Sequence, residues 1–411
     1  MTDNNIFRNQ VGPQASKLIG SQHSLFDRRM RQVFVPHAKD IRTLTPVNSV
    51  ATTLPTSGSI QFAQDFDRCD WLELKVTIPA LTAGGAATFT RLVDYFGAQL
   101  FERIQCKFSG QEIQEIRPLE WYKAQRDMLP ELRQDYIEPL GGGLSIAERN
   151  SRALAQQVFY IRIPVYWARS WRADKRRDLG LNPYVISQPF EVYFETAQYR
   201  DLVQTDDAAS TPFTFNVEAY AVVQHTLPRE RATRIAETRG GLGTIIPLPY
   251  YKFIREKVIS AGASSYQLDI SSIQLPVKIL EILFRERSDL TTNYGKDYTN
   301  LSWDLVPDEM ELVIGGVTLL QRQVVRPMMR YNACKYGVEN APPVLRVLFT
   351  EAPIHTLISD GAFLGLDILR NNVFLNLYWD APIANDIQID LLAECFNALQ
   401  RKAGTERRLF S

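Results

Sequence analysis

The sequence predicts an all-β chain of two tandem sandwiches, with a few short inserted helices and an N-terminal arm. Three observations lead there. Apolar residues alternate with period two along most of the chain, the pattern of strands half buried against a core. The order of these segments repeats, the second set trailing the first by roughly 200 residues. Helical patterns are confined to two places, so the strands are not joined by the crossover helices of a parallel sheet. A chain of 411 residues and 46.9 kDa is long enough for two cores of ordinary domain size without metals or disulfides.

Residues 1–46 read as the arm. They are polar, with Gly12, Pro13 and Gly20 early and Arg28, Arg29, Arg31, Lys39 and Arg42 later. Phe7, Leu18, Ile19, Leu25 and Phe26 are more apolar anchors than a purely solvated tail carries, so the arm is expected to dock.

Residues 47–230 form the first sandwich. Its strands are marked by Ile60/Phe62, Leu72/Leu74/Val76/Ile78, Ile104/Cys106/Phe108, Phe159/Ile161/Ile163, Val192/Phe194 and Phe213/Phe215/Val217/Ala219. Helix formers fill 118–134 and 144–157, separated by Gly141-Gly142-Gly143. Helices inserted between sandwich strands sit at one end, where they can pack on a neighbouring subunit. Charged and glycine-rich residues from Pro228 to Gly243 make the link.

Residues 231–411 form the second sandwich, with strands at Leu280/Ile282/Phe284, Leu312/Ile314, Val344 to Phe349, Phe374 to Trp379 and Ile387/Ile389/Leu391. The polar loop 287–308 is too long for a hairpin turn, and its length suits contact with a partner.

The two halves match segment by segment. Ile104 to Ile113 aligns with Met310 to Leu319, apolar on apolar and Gly110 on Gly316. Each copy is then followed by Arg-Pro, at Arg117-Pro118 and Arg326-Pro327. Ile60-Gln61-Phe62 aligns with Tyr266-Gln267-Leu268, Leu72-Glu73-Leu74 with Leu280-Glu281-Ile282, Phe190 to Phe194 with Phe374 to Tyr378, and Val217 to Ala221 with Ile389 to Ala393. Leu179-Gly180-Leu181-Asn182 likewise precedes Phe190 as Leu364-Gly365-Leu366-Asp367 precedes Phe374.

Composition and motifs exclude several functions. Forty-six basic and 46 acidic residues cancel, so no global field draws the chain onto nucleic acid. Cys69, Cys106, Cys334 and Cys395 lack metal-site spacing and suit buried thiols in a reducing compartment. Neither a signal-peptide core nor an 18-residue apolar run occurs, so a soluble product made in the cytosol is expected. His23, His37, His225 and His355 are too few and too scattered for the histidine-rich metal site of a cupin. There is no nucleophile elbow or P-loop, and Gly240-Gly241-Leu242-Gly243 precedes no helix. Glu112/Glu115 and Asp206/Asp207 could be a glycosidase couple, but exposed acid pairs are common and read better as solvated surface.

The one basic, aromatic-interleaved patch is Trp167-Ala168-Arg169-Ser170-Trp171-Arg172 with Lys175, Arg176 and Arg177. Zero net charge favours subunit contact through Trp167, Trp171 and Arg172 over nucleic-acid stacking. No catalytic, cofactor-binding or metal residues are expected. A two-domain cupin-like enzyme and a carbohydrate-binding spike or lectin, with Trp303 as a stacking ring, are the competing classes.

The run Ile161-Arg162-Ile163-Pro164-Val165-Tyr166-Trp167, then Leu179 to Pro183, then Phe190 to Phe194, resembles the double jelly-roll major capsid proteins of tailless icosahedral viruses, the tectivirus and adenovirus-hexon lineage. Leu92-Val93-Asp94-Tyr95-Phe96 before Leu100 to Ile104 looks similar to the tectivirus-type coat protein. The resemblance implies two tandem eight-stranded jelly-rolls and a non-enzymatic major capsid protein. It further implies a homotrimeric, pseudo-hexagonal capsomer that tiles an icosahedral shell. Its partners would be itself and neighbouring capsomers, penton and minor capsid proteins, and inner-membrane lipid, with no specific nucleic acid and no cofactor. The arm would face the particle interior, where Arg28, Arg29, Arg31 and Lys39 suit anionic headgroups. The protein would reside in the virion, after assembly in the host cytoplasm or nucleus, with loop 287–308 on the outside.

Overall fold

The structure, a computed structural model, describes residues 37–44, 46–47, 52–62, 66–81, 90–127, 135–167, 181, 189–205, 214–228, 231–232, 235–236, 244–287, 301–336, 344–349, 372–402 and 405–408. Eight principal strands make the first lobe. They are β1 (His37–Leu44), β2 (Ser57–Gln61), β3 (Arg68–Ile78), β4 (Phe101–Phe108), β5 (Gln111–Ile116), β6 (Gln157–Arg162), β7 (Phe190–Thr196) and β8 (Thr214–Thr226). Eight more make the second: β9 (Thr244–Ile259), β10 (Ser265–Asp269), β11 (Val277–Glu286), β12 (Glu309–Ile314), β13 (Val317–Val324), β14 (Leu345–Leu348), β15 (Val373–Tyr378) and β16 (Ile387–Lys402).

In the first lobe the sheets run β1-β8-β3-β6 and β2-β7-β4-β5; in the second they run β9-β16-β11-β14 and β10-β15-β12-β13. Adding eight to each label of the first lobe reproduces the second. Every one of these pairings is antiparallel, and apart from the hairpin pairs β4-β5 and β12-β13 the neighbours in each sheet are far apart in sequence, which is the jelly-roll interleaving of two four-stranded sheets. Both jelly-rolls of the sequence reading are therefore present.

Alternation builds the cores. On β3, Leu72, Leu74, Val76 and Ile78 point inward while Glu73, Lys75 and Thr77 stay half exposed. Their partners on β8, Ala221, Ala219 and Val217, are equally buried. Aromatic edges close the space between the sheets, with Phe101 on Phe194 and Phe108 on Phe190.

The tightest repeat in the sequence is a hairpin turn. Ser109-Gly110 joins β4 to β5 with φ of 46° and 80°, and Gly315-Gly316 joins β12 to β13 with φ of 57° and 82°. Two successive positive φ values define the two-residue turn whose twist matches flanking strands, so a glycine recurs at the second position for backbone reasons.

One matched pair is out of register. Phe190 is buried on β7, but Phe374 is not buried; the inward residues of β15 are Val373, Leu375 and Leu377. Phe108 pairs with Phe190 and its equivalent Ile314 pairs with Val373, so the true alignment slips by one residue. A single step exchanges the two faces of a strand, and sequence similarity alone does not see it.

Helices fill the ends: α1 (Phe96–Gln99), α2 (Pro118–Asp127), α3 (Ile146–Ala153), α4 (Tyr199–Leu202) and α5 (Val325–Tyr336). The expected helices at 118–134 and 144–157 appear as α2 and α3, the latter started by a reciprocal Ser145/Glu148 capping box. Helix α5 was not expected. It follows β13 as α2 follows β5, and the repeated Arg-Pro is the start signal for both, since proline is tolerated in a first helical turn.

The arm is shorter than expected. Residues 37–44 are strand β1, hydrogen-bonded along β8 from His37 opposite Thr226 to Leu44 opposite Ala219, and Pro46–Val47 pairs with β2. Where the chain leaves β8, Asp67 grips Arg231 with two oxygens, at 2.6 and 2.9 Å, and accepts the Thr226 amide at 2.7 Å. Burial alone would raise the Asp67 carboxyl; the Arg231 guanidinium and the amide hold it below its ordinary value.

Candidate functional site: the seam between the lobes and its open equivalents

The chemistry of the described residues is concentrated where the lobes meet. Helix α2 is pinned to the first lobe by Trp121, whose indole donates to the Arg162 carbonyl at 2.8 Å. Two residues on, and so on the opposite side of the helix, Lys123 leaves that lobe and enters the outer face of the second lobe's β11-β16 sheet. Its Nζ lies 3.1 Å from Glu394 and 4.0 Å from Glu281. Lys278 donates to the other Glu394 oxygen at 3.0 Å, and Arg346 stands 3.0 Å from Glu281. Arg285 and Asp390 pair on the same strands. All seven side chains are buried, with Glu281 only 1% exposed.

Two physical consequences follow. Burial by itself would raise the Glu394 carboxyl, but Lys123 and Lys278 overcome it and hold the group at about 2. The face is also closed to water on both sides, because outward Ile279, Leu283 and Leu392 are as buried as the inward residues. The signal was in the sequence: Val277 to Phe284 carries apolar residues at both phases of the alternation, as a strand covered on both faces requires.

The same face of the first lobe is open. Glu73 is opposite Arg162, as Glu281 is opposite Arg346, so the acid-arginine pair is duplicated with the fold. Here Arg162 stacks over Trp71 at 3.6 Å, Trp71 donates to Glu73 at 3.3 Å, and all three are only half buried. Partial burial raises the Glu73 carboxyl, with the Trp71 bond and Arg162 opposing.

The edge strands differ in the same way. Strand β5 lies against β9 and against Thr405–Arg408 of the second lobe, and its Ile113 is 0% exposed. The equivalent Leu319 on β13 is 58% exposed, and Val317 and Val324 stand out beside it.

The residues singled out from sequence fall as follows. Arg28, Arg29, Arg31, Trp171 and Arg172 lie outside the described residues. Lys39 is on β1, 3.9 Å from Asp70. Trp167 is 1% exposed, its ring edge-on to Phe62, Tyr166 and Phe190 inside its own lobe, so a neighbouring subunit does not reach it there. Glu112 and Glu115 are each engaged, by Gln105 at 2.6 Å and Arg117 at 2.5 Å; Asp206 and Asp207 lie outside the described residues. Trp303 is partly exposed beneath Arg326. Cys69, Cys106 and Cys395 are buried free thiols, and burial pushes Cys69 up to about 12. The buried ion network itself was missed, because its members are distant in sequence.

No protein-family model matches the chain, and no curated protein matches it in sequence. Solved structures do match in fold. The quasi-atomic model of the PBCV-1 virus capsid covers 92% of this chain and 98% of its own, at 14% identity and a TM-score of 0.69. The Faustovirus major capsid protein covers 89% and 90% at 12% identity and 0.64, and the mavirus major capsid protein 90% and 90% at 9% identity and 0.56. The chain has the double jelly-roll fold of these capsid proteins over about nine-tenths of its length.

Proposed function

We propose that this chain is a non-enzymatic major capsid protein whose homotrimer is a pseudo-hexagonal capsomer of an icosahedral shell. The observation that carries the reading is the duplication itself. Two eight-stranded sandwiches of identical strand order within one chain present two similar bodies, so three chains present six, and a threefold assembly acquires nearly sixfold outline. Such a tile packs edge to edge on a face. The fold shared with viral capsid proteins over about nine-tenths of the chain supports the same conclusion. Chemistry points the same way, since the strongest charges are spent holding the lobes together rather than arrayed in a cleft.

In this reading residues 1–36 face the particle interior and contact lipid or neighbouring capsomers through Arg28, Arg29 and Arg31, while Lys39 is committed to the sheet. Trp171 and Arg172, which follow the buried Trp167 in sequence, contact a neighbouring subunit. Penton and minor capsid proteins complete the set of partners in the virion.

The test is the native mass of the purified protein, expected at about 140 kDa for three chains of 46.9 kDa. A deletion of residues 1–36, which leaves β1 in place, should keep the trimer and lose particle assembly or membrane association. A protein that stays monomeric at all concentrations would overturn the reading.

A further inference from the structure

The equivalent strands β3 and β11 differ on their outer faces. On β3 the outward residues are Trp71, Glu73, Lys75 and Thr77, all half buried, and their neighbours Glu218, Tyr220 and Val222 on β8 and Arg162 on β6 are half buried too. On β11 every residue from Val277 to Arg285 is buried. Its outward Ile279 and Leu283, with Leu392 of β16, sit among the buried ions Lys278, Glu281, Arg285, Arg346, Asp390 and Glu394. Among the described residues, then, this sheet of lobe one is closed to water on one side only, as a sandwich that folds alone requires, and its twin in lobe two is closed on both.

The helix that enters this face is held by contacts internal to lobe one. Besides the Trp121 bond to the Arg162 carbonyl, the side-chain amide of Gln99 donates to the Tyr122 hydroxyl at 3.1 Å and to the Asp94 carbonyl at 2.9 Å, and the rings of Tyr95 and Tyr122 lie 4.9 Å apart. All of these groups belong to lobe one, so α2 and the place of Lys123 are set without any help from lobe two.

We propose that lobe one folds by itself and serves as the template on which lobe two folds, with Lys123 the group around which the β11-β16 face closes. The dependence runs one way because the two lobes lose unequal amounts when apart. Lobe one returns a lysine to water, which suits its ammonium, and uncovers the β5 edge around Ile113. Lobe two uncovers Ile279, Leu283 and Leu392, and burying Glu394 then leaves it the Lys278 ammonium at 3.0 Å without the second one at 3.1 Å.

The order required is the order of synthesis, since the template precedes the lobe it receives along the chain. It also guards the segment most prone to misassembly. Val277 to Phe284 is an apolar, β-branched run broken only by Lys278 and Glu281, and such a run left unburied pairs with its like in other chains.

The experiment follows refolding of the full chain from urea by pulse-labelled hydrogen exchange and mass spectrometry, reading peptides of β3 and β7 for lobe one and of β11 and β16 for lobe two. In the wild type, lobe one should gain protection first. Lys123→Met should leave that phase unchanged and slow protection of lobe two at least about tenfold, because the contact removed forms at the step that closes lobe two. Leu375→Ala, in the core of lobe two, should delay lobe two alone, whereas Trp167→Ala, in the core of lobe one, should delay both. Protection of lobe two ahead of lobe one in any of these chains would overturn the template. So would Lys123→Met refolding lobe two on the wild-type schedule, or Leu375→Ala slowing lobe one as much as lobe two. If Trp167→Ala does not refold, the other two variants decide. None of these outcomes depends on the capsid reading.

Discussion

Replacing Lys123 with methionine tests whether the two jelly-rolls are joined by the buried ions or merely rest on each other. Methionine keeps the length of the stem and removes the ammonium 3.1 Å from Glu394. Breaking a buried pair by removing one partner typically costs about 3–5 kcal/mol, because the other charge stays buried. The carboxyl gives an independent figure. Its ordinary value of 4.5 falls to about 2 in the folded protein, and at about 1.4 kcal/mol per pH unit that gap is roughly 3 kcal/mol of linked stability, which Lys123 and Lys278 hold together. The folded value is the lower one, so this stability is complete above about pH 4.5 and is lost as pH falls towards 2. Urea unfolding by far-UV circular dichroism should therefore show Lys123→Met destabilised by up to about 3 kcal/mol at pH 7 and by less at pH 3. Because Lys123 and Glu394 belong to different lobes, the variant's transition should also broaden into two. The double variant Lys123→Met/Glu394→Gln should not recover the loss, because the buried Lys278 ammonium then loses the Glu394 carboxylate that it donates to. A penalty under about 0.5 kcal/mol at pH 7, or one equally large at pH 3, would refute the account.

Three further outcomes are expected. Gly110→Val and Gly316→Val should each cost about 1–2 kcal/mol, read from thermal melts, because both positions have φ near 80° and a β-branched residue is strained there whatever the space. A large difference between the two would mean the hairpins are not equivalent. Trp167→Ala should destabilise the lobe by about 3–5 kcal/mol through the lost aromatic cluster, lowering the melting temperature of the dissociated chain; a change seen only in the assembled particle would place that ring at an interface instead. Asp67→Asn should make the link near residue 231 more open to limited proteolysis at pH 7, and the difference from wild type should fade only as pH drops below the ordinary carboxylate range, where the wild-type carboxyl that holds Arg231 in turn takes up a proton.

Much of the fold was readable because its rules are local. Period-two alternation located most strands of both lobes, though not β1, which fell in the expected arm, or β9, and the repeated Gly110 and Gly316 mark the second position of two-residue turns, where a positive φ selects for glycine in any surroundings. Arg326-Pro327 was visible but its helix was not, because a short run containing Arg and Tyr has no strong periodicity and α5 is set by its place after β13. The one-residue slip at Phe374 came from the same limit, as neighbouring aromatics on a strand look alike until cross-strand pairing decides which faces in.

The sequence by itself determined that this is a β-rich chain written twice, because side-chain alternation and turn chemistry act between residues a few positions apart. Only the tertiary structure decided what the two copies do to each other. Lys123, Lys278, Glu281, Arg346 and Glu394 come from four segments spread over more than half the chain, and a carboxylate becomes a buried rivet only when a distant ammonium arrives at about 3 Å. The burial of one lobe's outer face and the partial exposure of its twin among the described residues are likewise properties of packing.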